Sequence, residues 1–223
     1  MGGVAAAPAA GEVTREYLEA VLAGDRRRAF AVLDRARGAG LGHREMYLAV
    51  FQPALREVGR LWEENRISVA DEHLATAITQ AAMARLYDDL FTLSRQRGPL
   101  LIAACADSER HELGLRMICD LLELEGWDTV FLGATTPIDS LLEMVEARRP
   151  AVVALSASIS PHLGRVREAV RVIRERLGDR TPVIAVGGRP FMEDPELASR
   201  VGADLTAMDA VEAVKLLQER VAA

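Results

Sequence analysis

The sequence predicts an α + α/β chain, an N-terminal four-helix bundle followed by a five-stranded parallel sheet with helices between its strands. Three observations carry that expectation. Residues 13 to 95 place apolar side chains at helical spacing and contain no convincing strand. From residue 100 onward, short apolar runs alternate with helical stretches, as crossover units of a parallel sheet do. Between the halves lies Arg95-Gln96-Arg97-Gly98-Pro99, a polar and turn-rich linker. The expected organisation is a flexible tail over 1–11, a helical-bundle domain over 12–95 and an α/β domain over 99–223.

In the helical half, Val13, Tyr17, Leu18, Val21 and Leu22 mark a first helix that Gly24 punctuates. Asp25 is placed to cap a second, which runs to about Arg37 before Gly38-Ala39-Gly40. A third spans about Gly42 to Glu64, with Pro53 kinking or splitting it. Ser68, with Asp71 three residues later, reads as a capping-box start for a fourth helix lasting to about Ser94. Short links between four helices imply an antiparallel bundle.

In the second half, the strand-like runs are Leu100–Ala106, Thr129–Leu132, Val152–Ser156, Val183–Val186 and a short Leu205–Ala207. Helical stretches lie near 110–125, 138–148, 162–177, 193–201 and 209–222. Five strands with helical crossovers give a doubly wound sheet in flavodoxin-like (Rossmann-type) order, which binds ligands beyond the carboxyl ends of its strands.

Composition narrows the class. Thirty-three acidic against 27 basic residues give a net charge of −6, which argues against general nucleic-acid binding. The basic run Arg26-Arg27-Arg28 reads as a solvated helix face. Cys105 and Cys119 fall in apolar surroundings and read as core thiols rather than a disulfide. No stretch resembles a membrane span or a signal peptide, so a reduced, cytoplasmic protein is expected.

The polar residues at the strand ends form the candidate site. Glu109, His111 and Gly114 follow the first strand, and Thr135, Thr136 and Pro137 the second. Ser156, Ser158 and Ser160 follow the third with His162 close behind, and Gly187-Gly188 follows the fourth. An imidazole at a strand end suits metal coordination, and a carboxylate nearby can hold its other nitrogen. Paired glycines permit close approach by an extended ligand or simply mark a strand exit.

Together these residues resemble the cobalamin-binding domain of methionine synthase, the adenosylcobalamin mutases and corrinoid methyl carriers. The pattern Asp-x-His-x-x-Gly, Ser-x-Leu, Gly-Gly appears as Glu109-Arg110-His111-Glu112-Leu113-Gly114, Ser156-Ala157-Ser158 and Gly187-Gly188. Glu stands for the leading Asp and Ser158 for the Leu. The resemblance covers residues 99–223. It implies that His111 displaces dimethylbenzimidazole as the lower cobalt ligand. It further implies that Glu109 and Ser156 tune that His or meet the displaced tail, which runs toward Gly187-Gly188.

The helical half is similar to CarH-type adenosylcobalamin photoreceptors, through Trp62, nine residues, then Glu72-His73. That resemblance implies Trp62 packing on the adenosyl group, Glu72 bonding its ribose or base, and His73 lining the same pocket. Taken as helix alone, Trp62 is a core residue and Glu72-His73 a solvated turn. Glu63 stands where CarH-type proteins can carry a His that takes the upper cobalt position after light, which leaves His73 or water for that role. No helix-turn-helix precedes the bundle in this sequence, so a signal is expected to leave through protein surfaces, through self-association and a downstream partner. The leading expectation is a non-enzymatic, light-sensing cobalamin module, with a corrinoid methyl carrier as the alternative. A mutase subunit is disfavoured because its substrate barrel is missing, and some stand-alone relatives hold a bilin as well.

Overall fold

The computed structural model describes residues 10–93 and 98–222. Residues 1–9 of the expected tail and 95–97 of the expected linker lie outside the described residues. The chain divides into two compact units, Met1–Asp89 and Leu90–Ala223.

The first unit is helical: α1 (Ala10–Leu22), α2 (Arg26–Gly38), a single turn α3 (His43–Glu45), α4 (Gln52–Glu63) and α5 (Val69–Leu93). Helix α1 takes in Ala10 and Gly11, which were expected in the tail. Asp25 accepts from the Arg28 amide, capping α2. Ser68 and Asp71 exchange the reciprocal bonds of a capping box, the Ser68 amide to the Asp71 carboxylate and the Asp71 amide to the Ser68 hydroxyl.

The expected third helix is divided just ahead of Pro53, which falls in the first turn of α4. A π-helical segment, Met46–Phe51, joins α3 to α4. Proline has no N–H, so the Ala49 carbonyl four residues earlier loses its usual donor. The Gln52 amide bonds back five residues to the Tyr47 carbonyl. The Thr14 hydroxyl of α1, which also lies 2.8 Å from the Ala10 carbonyl, reaches the orphaned Ala49 carbonyl. The same segment supplies the core: Tyr17 and Tyr47 both meet Phe51 edge-on, at 5.4 and 5.6 Å between ring centres. The Tyr17 hydroxyl keeps a 3.0 Å bond to Thr79 of α5, and burial pushes its pKa up.

The second unit carries β1 (Leu100–Cys105), α6 (Leu113–Leu124), β2 (Asp128–Gly133), α7 (Ile138–Arg148), β3 (Val152–Ser156), α8 (Leu163–Leu177), β4 (Val183–Gly187), α9 (Arg189–Glu193), α10 (Glu196–Val201), β5 (Leu205–Thr206) and α11 (Ala210–Ala222). All pairings are parallel, in the order β2-β1-β3-β4-β5. Strands β1 and β3 are buried almost throughout, which explains their continuous apolar runs. Ile102, Val153, Leu155 and Ile184 pack with Val166, Val170 and Ile173 of α8 in one core. Two helix boundaries differ from expectation. Helix α6 begins at Leu113, not 110, because Glu109 to Glu112 form a loop. The stretch expected at 193–201 is two short helices, parted around Pro195. Burial raises the thiols of Cys105, to about 12, and Cys119, so both are core residues rather than nucleophiles. Among the described residues no helix is long and apolar enough to cross a membrane.

Candidate functional site

Strand order reverses between β1 and β3, and the loops leaving these two strands bound the crevice where such sheets take ligands. Cys105 at the end of β1 pairs with Ser156 at the end of β3, which sets the two loops side by side. The side chain that ties them is Glu109, wholly buried. Its Oε1 accepts from the amides of Arg110 and His111, both at 2.9 Å, and from His111 Nδ1 at 2.5 Å. Its Oε2 accepts from the Ser158 amide at 2.6 Å and His162 Nδ1 at 3.0 Å. Burial alone would raise the Glu109 pKa. The donors from both histidines and from the Ser158 amide outweigh it and hold the group well below the usual carboxylate range.

An ionised carboxylate only accepts, so Nδ1 of both rings must carry the proton. In a neutral imidazole this puts the lone pair on Nε2. The His111 side chain is half exposed while its anchor is buried. The result is a ring fixed at one nitrogen with the chemistry of a metal ligand at the other. Ser158 takes part through its amide, and His162, only 17% exposed, which the sequence placed close behind the third strand without a role, is a second ring held by the same carboxylate. Ser156 ends β3 opposite Cys105. Ser156 contributes its carbonyl, which accepts from the Ala106 amide at 2.9 Å.

The loop after β2 is bound to the same segment. The Thr135 amide donates to the Glu109 carbonyl at 3.0 Å, and the Ala134 amide to Glu112 Oε2 at 2.8 Å. Thr135 sits at φ +51°, an unusual conformation for a β-branched residue. The buried Thr136 turns its hydroxyl back onto the Gly133 carbonyl at 3.3 Å. The glycines divide into two kinds. Gly188, at φ +107°, could not carry a Cβ, which would fall 2.0 Å from the Ala157 carbonyl oxygen. Gly114 and Gly187 adopt ordinary conformations, and a Cβ on either would meet nothing within 4 Å.

In the helical unit, Trp62 ends α4 with 41% of its surface exposed, and is not the core residue that a helix-only reading gives. Glu72, on the first turn of α5, is 17% exposed and accepts from the Thr76 hydroxyl at 2.9 Å. His73 is 67% exposed, with Nε2 3.5 Å from the Glu72 carboxylate. The exposed large apolar side chains described in this unit, Trp62, Val69 and Leu74, all lie at the α4–α5 corner.

Residues 99–215 match the family model of the B12 binding domain, and residues 13–87 match a second B12 binding domain model. The chain belongs to the B12-binding family. This B12-binding chain is 33% identical over 178 residues to the HTH-type transcriptional repressor CarH of Myxococcus xanthus, covering 79% of the chain and 58% of CarH. It therefore spans little more than half of that relative's length. It is 26% identical over 210 residues to the trimethylamine corrinoid protein of Methanosarcina barkeri, covering 92% and 95% of the two chains. Its fold is that of the monomethylamine corrinoid protein of Methanosarcina barkeri, with a TM-score of 0.84 at 20% identity over 95% and 99% of the chains.

The residues fit a corrinoid. The strand-end imidazole is held in the tautomer that leaves Nε2 basic. Gly114 and Gly187 keep space open where neither backbone angle nor packing demands a glycine. The chain is a cobalamin-binding module.

Proposed function

We propose that this chain binds adenosylcobalamin and serves as a light-responsive signalling module, with His111 as lower cobalt ligand. The observation that carries this reading is the α4–α5 corner. A large indole is left exposed there, and a recessed carboxylate is held by Thr76 at the start of the next helix. Bound adenosylcobalamin supplies a cobalt–carbon bond that green light breaks. Glu109 fixes the His111 ring and keeps its Nε2 basic. Trp62 gives the adenosyl group an apolar wall, and Glu72 accepts hydrogen bonds from its ribose hydroxyls. His73, on the same helical turn as Glu72, would be the imidazole available to the cobalt on this side, since Glu63 follows Trp62. Ser158, Gly114 and Gly187 would border the corrinoid.

A corrinoid methyl carrier is the second reading, and one observation favours it: the trimethylamine corrinoid protein matches this chain nearly end to end. Calorimetry separates the two. Adenosylcobalamin is expected to bind more tightly than methylcobalamin, and Trp62→Ala to erase most of the difference, since losing one large aromatic contact costs on the order of 3 kcal/mol. Equal affinity for both cofactors in the unaltered protein favours the carrier.

A further inference from the structure

Helix α4 carries a glycine that the fold does not explain. Gly59 is the eighth of twelve residues, and among the described residues it is the one glycine in the interior of an α-helix. Glycine is the worst helix former after proline. Such a residue survives in a helix where a positive φ or a close neighbour excludes a Cβ. Neither applies here. Gly59 is absent from the positive-φ residues, and a Cβ built on it meets nothing within 4 Å.

The position of Gly59 supplies a reason. It follows Leu55 by four residues and precedes Trp62 by three, so the three share one stripe beside the buried face of Ala54, Val58 and Leu61. The stripe ends at the exposed indole, at the corner where Val69 and Leu74 of α5 are also exposed. A bare stretch of helix backbone beside an uncovered indole is a slot for a flat group.

We infer that Gly59 is a specificity-determining residue, kept without a side chain so that the upper group of the bound cofactor can lie against the α4 backbone beside Trp62. This rests on the adenosylcobalamin reading above. A methyl upper group does not reach the slot, so a side chain at residue 59 matters for the larger group only.

Gly59→Ala tests this, because a structural role and a binding role give effects of opposite sign. Alanine improves the helix and should raise the melting point of the apo protein by roughly 2–4 °C. The same variant should bind adenosylcobalamin at least tenfold more weakly by calorimetry, with methylcobalamin affinity changed less than threefold. Adenosylcobalamin affinity within twofold of the unaltered protein, or an equal loss for both cofactors, overturns the inference. If the unaltered protein already binds both cofactors equally, the adenosyl reading itself fails, and that result is seen before any variant is made.

Discussion

At the scale of single residues, Glu109 decides most. One buried carboxylate receives donors from residues 110, 111, 158 and 162, so it joins two loops and sets the tautomer of the His111 ring. Its folded pKa is depressed, so its contribution to stability is present above the ordinary glutamate value of about 4.3. That contribution is lost as pH falls from there through the folded value. Glu109→Gln should cost roughly 2–3 kcal/mol at pH 7, because an amide cannot accept from all these donors. It should also flatten the decline in stability below about pH 4.3. Urea unfolding at pH 7 and at lower pH checks both, and an unchanged acid limb would show that Glu109 is not the group responsible. Glu109 and His111 were legible in the sequence as a carboxylate two residues before an imidazole at a strand end. His162 was seen near the third strand end, but its pairing with Glu109 was not legible, since 53 residues separate them and nothing local pairs them. The Ser158 amide was hidden for another reason: a serine draws attention to its hydroxyl, and here the backbone does the binding.

Secondary-structure elements show where pattern reading works. Strands β1 and β3 were plain because burial on both faces leaves uninterrupted apolar runs, and the Ser68–Asp71 capping box announced the start of α5. The π segment before Pro53 was not legible. Proline signals a missing donor, but the remedy depends on Thr14 lying opposite, which only the packed helices provide. The loop from β2 to α7 is an element of the site in its own right. It is bent into left-handed conformations at Gly133 (φ +77°) and Thr135 (φ +51°), the latter costing on the order of 1–2 kcal/mol. Two bonds to the 109–112 segment hold it there, the Ala134 amide donating to Glu112 and the Thr135 amide to the Glu109 carbonyl. Glu112→Ala should therefore speed hydrogen exchange at the Ala134 amide by about tenfold in the apo protein. Glu112→Gln keeps an acceptor and should restore most of the protection. Equal exchange in all three proteins by NMR would mean that the loop holds its shape unaided.

At the scale of the whole molecule, the two-part architecture and the 2-1-3-4-5 strand order follow from the alternation of apolar runs and helices, and both halves match B12-binding models. The function of such a molecule depends on what the bound group contacts in each state, because a ligand shifts an equilibrium only by its differential contacts. The residues proposed for that difference, Trp62, Glu72 and His73, lie on α4 and α5, while His111, the proposed ligand, lies on the α/β unit. Breaking the bond to the adenosyl group should remove the contacts on one side and leave those on the other, changing domain arrangement or self-association. The most direct test loads the protein with adenosylcobalamin in the dark and follows its visible spectrum and its mass by size-exclusion chromatography with light scattering, alongside small-angle scattering, before and after green light. The expected result is loss of the adenosylcobalamin spectrum together with a change in mass or scattering profile, blunted in Glu72→Ala. Complete photolysis with superimposable profiles would contradict a light-driven switch and leave a cobalamin carrier.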